Sequence, residues 1–366
     1  MRAHTEFAPM WAVPPGRTIS DLMDLKGISP VHLARSMMLE WEDFDRLLAG
    51  ERALTANIAM HLEQELGASI GFWLAREEQY RTQQAEILTG VSAEDEEYKA
   101  WLKSLPIKQM RDLGWLDLSG SKDAQLKKCL EFFDVPNLDA WRRTYAAVKE
   151  TAAFRTTDAH SESGPATAAW LRQGERLAER ITCQKWDPAI FEEKLPKIRE
   201  LTHIAEPAKF LPILQYLCAE AGVAVVVVKA PNGCRASGAT FFSSPTKAVL
   251  LLSFRYLSDD QFWFSFFHEA AHLVLHWNED LLILETSDGP KSPREDEANQ
   301  FASDFLISPE LQKFLPEAAK SAKSIIRFSR LAGVASGIVV GQMQYRGLVR
   351  RDHFNKLKNR YKWESL

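Results

Sequence analysis

The chain has 366 residues, 46% of them apolar and 26% charged, with a formal net charge of −4 at pH 7. This length predicts two or three domains and this composition a globular protein with at least one sizeable core. The charge excludes a general pull toward nucleic acid or anionic membrane, and the longest apolar runs, such as 223–228 and 248–252, are too short to span a bilayer.

The excess acid is uneven. Residues 1–90 hold 8 Lys/Arg and 13 Asp/Glu, so 8 − 13 = −5, and the remainder is near neutral. Cys129, Cys183, Cys218 and Cys234 form no CxxC pair, which points away from a cysteine metal site or a redox motif. Residues 1–15 lack the apolar stretch of a secretory signal. The expectation is a reducing, cytoplasmic location and no membrane partner.

Residues 16–90 read as short helices. Gly27 ends the first, and Ser29-Pro30 caps and opens the second. A third runs from about Glu40 to Ala49 and stops at Gly50. Thr55 caps a fourth whose face is Ile58, Ala59, Leu62 and Leu66, closed by Gly67, and a fifth begins near Ile70. Residues 91–200 read as a helical connecting region, with 156–166 (TTDAHSESGPA) as its linker. From 201 onward the pattern changes. A helix over 207–221 leads into the β-branched run 222–229, and 239–242 and 247–254 read as further strands of a small sheet. A helix begins at Ser258-Asp259-Asp260 and continues to Trp277, and another spans 292–307. No internal repeat is visible. The fold class is α+β: an all-α N-terminal bundle over 1–90, a helical connector over 91–200, and a C-terminal domain over 201–366 with its sheet packed on the helix that carries the motif below.

That motif is His268-Glu269-Ala270-Ala271-His272. Histidines four apart on a helix place both imidazoles on one face, one turn apart, where they can share one ion. Glu269 beside them is placed to take a proton from an ion-bound water. The bland alternative is a pair of satisfied core histidines. It is opposed by the apolar setting, FWFSFFHEAAHLVLHW, where three unpaired polar groups would be costly to bury. His276 continues the series but lies roughly 12 Å along the axis from His268, so it is read as a supporting residue rather than a ligand.

The third ligand is sought in the 292–307 helix, where Glu295, Asp296 and Glu297 compete. At roughly 100° per residue, Glu295 lies about 60° from the apolar stripe Ala298, Phe301, Ala302, Phe305, Leu306, and Glu297 about 100° away on its other side. Glu295 is the leading candidate and Glu297 the alternative; a capping box with Ser292 is the structural reading of Glu295. Asn299, one turn on, is placed to orient a ligating histidine. Three protein ligands leave a fourth position open, the catalytic rather than the closed arrangement of zinc. Arg255, His276 and Tyr345 are candidates to steady an oxyanion.

Segments 259–276 (DDQFWFSFFHEAAHLVLH), 295–309 (EDEANQFASDFLISP) and 336–344 (SGIVVGQMQ) resemble the ImmA/IrrE metallopeptidase family. The resemblance implies a zincin-like domain, Zn²⁺ as cofactor, His268, His272 and Glu295 as ligands and Glu269 as the catalytic residue. Where that family more often has Glu-Leu-Gly between the histidines, this chain has Glu-Ala-Ala. Segments 14–23, 28–37, 47–69 and 71–80 resemble HigA-type helix-turn-helix antitoxins, and SLPIKQM, LEFFDV, AAFR and AAWLRQGE resemble the connecting region of proteins that fuse the two modules. In that likeness 40–49 is the recognition helix. It carries Glu40, Glu42, Asp43 and Asp45, which oppose phosphate binding, while Arg35, Arg46 and Arg52 are the nearby cations.

Two function classes follow. One is a zinc endopeptidase acting on a protein partner, a repressor or toxin–antitoxin component, and fused to a regulatory helix-turn-helix module that either binds DNA or serves dimerisation and partner docking. The other is a non-proteolytic antitoxin or transcriptional regulator whose peptidase fold senses or docks, with operator DNA or a toxin as partner and homodimerisation through the N-terminal domain.

Overall fold

The computed structural model describes residues 13–37, 39–90, 92, 95–145, 163–244, 246–277, 282–286 and 293–363. It divides into two compact units, Met1–Leu102 with Asp117–Arg143, and Lys103–Leu116 with Thr144–Leu366.

The first unit opens with α1 (Pro15–Lys26), α2 (Pro30–Ser36), α3 (Trp41–Ala49), α4 (Ala56–Leu66) and α5 (Ile70–Gly90). Their boundaries follow the punctuation of the sequence. Ser29 Oγ accepts from His32 N at 3.2 Å and Thr55 Oγ1 from Ile58 N at 3.4 Å, each satisfying an orphan amide of a helix start. Gly27, Gly50 and Gly67 take the left-handed C-cap conformation, with φ of 68°, 79° and 78°. One side of each helix closes on a core that contains Ile19, Leu33, Phe44, Leu47, Leu62 and Trp73. Within the stretch read as a connector lie α6 (Glu96–Ser104), α7 (Ile107–Asp112), α8 (Lys122–Phe133) and α9 (Leu138–Thr144). Trp101 of α6 packs on Phe133 at 5.9 Å and Trp141 at 5.6 Å. The stretch is shared between the units: 117–143 clusters with the first, 103–116 with the second. Of the linker expected over 156–166, residues 156–162 lie outside the described residues, and 163–166 form the start of α10 (Ser163–Ala178).

The second unit continues with α11 (Pro188–Glu200), α12 (Pro207–Ala219), β1 (Val223–Val227), β2 (Ala236–Ser244), β3 (Lys247–Leu252), α13 (Asp259–Leu275), β4 (Leu282–Thr286), α14 (Pro293–Leu306), α15 (Ala322–Ala332) and α16 (Ser336–Tyr345). The four strands form one sheet in the order β1-β3-β2-β4. β1 is parallel to β3, and β2 is antiparallel to both β3 and β4. The sheet is covered on both faces, which is why β1 and β3 read as unbroken apolar runs rather than alternating ones. Val223, Val225, Leu250 and Leu252 face the main core with Phe262, Trp263, Phe266 and Phe267 of α13. On the other face Leu251 meets Gly174 of α10, and Trp170 Nε1 donates to Val228 O at 2.9 Å. β4, which alternation did not reveal, adds an edge strand. Among the described residues no single helix is long and apolar enough to cross a membrane.

The start of α13 corrects one local expectation. Ser258 holds the cap position without a side-chain capping bond; its hydroxyl donates to Asp260 Oδ1 at 2.7 Å. Asp259 Oδ1 instead accepts from Asp260 N at 2.8 Å. Burial pushes the Asp259 carboxyl up to about 6.

Candidate metal centre

α13 is apolar on nearly every side, yet a stripe of it is His268, Glu269 and His272, with exposures of 1%, 0% and 0%. The helix is held by packing around this stripe. Phe262, Trp263, Phe266, Ala270 and Leu273 enter the core, and Phe267 stacks on Phe305 of α14 at 5.0 Å. α14 buries Ala298, Ala302 and Leu306, which turns Glu295 and Asn299 toward the histidines.

His268 Nε2 lies 3.2 Å from His272 Nε2 and 3.2 Å from Glu295 Oε2, and His272 Nε2 lies 3.8 Å from Glu295 Oε1. A tetrahedral ion with bonds of about 2.0–2.1 Å separates its ligand atoms by about 3.3 Å. The three side chains therefore fit a divalent ion of that size, and among the described residues they are the group able to hold one.

The other ring nitrogens explain why both Nε2 atoms are acceptors. Asn299 Oδ1 lies 3.1 Å from His268 Nδ1 and accepts its proton. Glu297 Oε2 lies 3.0 Å from His276 Nε2, so the imidazole donates there and leaves its Nδ1 to accept from His272 Nδ1 at 3.1 Å. Both tautomers are thus set from behind, with lone pairs directed at the Glu295 carboxylate. Three acceptors facing one point are the donor set of a cation. Burial, and then His268, press the His272 pKa down to about 3, which keeps the ring neutral as a ligand must be.

The placement of the sequence candidates is mixed. Glu295 joins the histidines, and Glu297 bonds His276 instead. Ser292, the partner in the capping-box alternative, lies outside the described residues. His276 is not helical. α13 ends at Leu275, short of the Trp277 expected, and His276 turns out at φ −125°, which lets its ring fold back onto His272. Bonded on both nitrogens, it is not an oxyanion donor. Arg255 Nη1 donates to Arg235 O at 2.8 Å, and Tyr345 is 84% exposed. Replacing His276 by phenylalanine is expected to weaken metal binding about 10–100-fold, read by competition titration with a chelator.

Two residues of the site were invisible to spacing arguments. Thr240 Oγ1 on β2 lies 2.5 Å from Glu269 Oε2, and Gly238 lies directly over the same carboxylate. They reach the motif through sheet packing across about thirty residues of chain, which no helical period encodes.

In the first unit, Arg52 pairs with Asp43 and Arg46 Nε lies 3.8 Å from Glu51, while Arg35 is exposed on α2. Two of the three candidate phosphate-binding cations are thus already turned to carboxylates.

Two buried histidines on one helix beneath a sheet, a half-buried glutamate from a second helix facing them, and a further glutamate next to the first histidine define the class of helix-borne metallopeptidase-like centres. In agreement, residues 221–339 are similar to the peptidase M78 family, described as the IrrE N-terminal-like domain. None of the curated proteins searched matches the chain. The matched segment contains Gly238, Thr240, His268, Glu269, His272 and Glu295, and leaves the first unit outside.

Proposed function

We propose that this chain is a zinc-dependent endopeptidase-type regulator acting on a protein partner, a repressor or toxin–antitoxin component. The observation that carries the reading is the convergence of His268 Nε2, His272 Nε2 and the Glu295 carboxylate, with Glu269 on the same turn. Bound there, the ion would supply polarisation of a peptide carbonyl and acidification of a water. The chain's own residues do the rest. Glu269 takes a proton on its carboxylate and delivers it to the leaving amine. Asn299 and the Glu297–His276 pair hold the two imidazoles in the tautomer and rotation the ion requires. The apolar walls of α13 keep the surroundings of low polarity, which strengthens every charge interaction at the centre.

The N-terminal bundle is assigned to a regulatory role, with α2 and α3 as the helix-turn-helix pair. The pairing of Arg46 and Arg52 with acids favours protein docking, including pairing of two copies, over operator DNA as its principal contact.

The test joins metal analysis to a map of new N-termini in cells producing the wild type or Glu269→Gln. About one zinc per chain is expected in both. A cleaved regulatory protein should appear with the wild type alone, its cleavage falling by roughly 10²–10⁴-fold in the variant. Absence of metal from the wild-type protein overturns the proposal. Metal without any cleavage difference replaces it by the second reading, a non-proteolytic regulator that docks through the same fold.

A further inference from the structure

We infer that Thr240 is the positioning residue of the Glu269 carboxylate, and that Gly238 exists to leave that carboxylate its space; the inference rests on the metallopeptidase reading above. Thr240 is fully buried on the face of β2 that meets α13. Its cross-strand partner is Leu250 and that of Gly238 is Leu252, both in the apolar core. A valine would match Thr240 in shape and bring no polar atom, so packing alone does not account for the hydroxyl. Its geometry does. Oγ1 lies 2.5 Å from Glu269 Oε2 and 3.3 Å from the Glu269 carbonyl oxygen.

Gly238 addresses the other oxygen. A Cβ there would stand 2.3 Å from Glu269 Oε1, 2.6 Å from Cγ and 2.7 Å from Cδ. Its φ lies outside the left-handed region, so backbone freedom is not what calls for glycine; the close approach of the carboxylate is. Two residues apart on one strand, Thr240 and Gly238 share a face. One bonds the carboxylate and the other makes room for it. A glutamate has three side-chain torsions, and proton transfer requires its oxygens within a few tenths of an ångström of one position. β2 supplies that restraint from outside the motif.

The experiment compares Thr240→Val, Thr240→Ser and Thr240→Val/Glu269→Gln in the full zinc-loaded chain, with fluorescein-labelled casein as probe and a crystal structure of each protein. Thr240→Val should lower kcat by roughly tenfold to a hundredfold, the worth of a hydrogen bond to a charged group, with KM and zinc content held and Tm lowered by a few degrees as the buried carboxylate loses its donor. Thr240→Ser should restore kcat. The double variant should be no slower than Glu269→Gln alone, since the threonine acts through the glutamate. The structures should show the carboxylate turned away from β2 in the valine variant and returned in the serine variant. A valine variant with wild-type kcat, or with Glu269 unmoved, overturns the inference, as does failure of serine to rescue. If the wild type itself leaves casein intact, the peptidase reading is decided by the map of new N-termini in cells, and the Glu269 orientation in the wild-type, valine and serine structures still decides the role of Thr240.

Discussion

Glu295→Ala is expected to lower zinc affinity by two to three orders of magnitude, whereas Glu297→Ala should fall within the 10–100-fold range of a supporting residue. The magnitude follows from ligand count. Structural zinc sites with four protein ligands bind with about 10–16 kcal/mol, roughly 2.5–4 kcal/mol for each ligand. Glu295 faces both Nε2 atoms at 3.2 and 3.8 Å, while Glu297 reaches the ion only through His276 and His272. The readout is chelator competition, with a thermal counterpart. Metal at a thousand times its Kd stabilises the folded state by about 4 kcal/mol, so wild-type Tm should climb with added zinc and Glu295→Ala should hardly respond at the same concentration. Equal losses from the two alanines would mean that the carboxylates share the ion and that the assignment of Glu295 alone is wrong.

The site could be read this far from the sequence because its central parts obey helical periods. His268 and His272 are one turn apart by number alone, and the phase of Ala298, Ala302 and Leu306 favours Glu295 over Glu297 as the acid that borders the core. Axial distance also removed His276 from the ligand set, though the reason it now supports His272 lies elsewhere. The helix stops at Leu275, and the turn sends the ring back. Helix ends depend on tertiary context more than on pattern. The strands followed the same division. β1 and β3 announce themselves as β-branched runs, but β4 carries no such signal, and β2 is longer than the segment expected over 239–242. Thr240 and Gly238 carry no chemistry in isolation. They acquire it only because the β2–β3 register turns positions 238 and 240 toward α13. The same holds for the C-terminal tail, whose role depends on a contact 98 residues away in the chain.

That contact should be one of the strongest single determinants of stability in the second unit. Lys358→Met is expected to cost about 3–5 kcal/mol, the usual loss when one partner of a buried ion pair is removed. Lys358 Nζ lies 2.6 Å from Asp260 Oδ2 and 2.7 Å from Gln344 Oε1, with side-chain exposures of 8% for the lysine and 3% for the aspartate. Without the ammonium, Asp260 keeps Ser258 as a donor but not a countercharge, in surroundings too dry to hydrate it. The pair also closes a small β-like clasp. Asp259 N donates to Asn359 O at 3.1 Å and Tyr361 N to Leu257 O at 2.9 Å, and the Tyr361 ring packs on Phe254 at 5.2 Å. The clasp grips the first turn of α13, whose two acids already suit the positive end of the helix dipole. Denaturant unfolding with excess chelator separates this effect from metal loss. A shift below about 1 kcal/mol would show that water or another cation serves Asp260 equally well. A second variant isolates the cause: Lys358→Met/Asp260→Asn removes the stranded charge and should recover a good part of the loss, because the destabilisation comes from the uncompensated carboxylate rather than from the missing lysine stem.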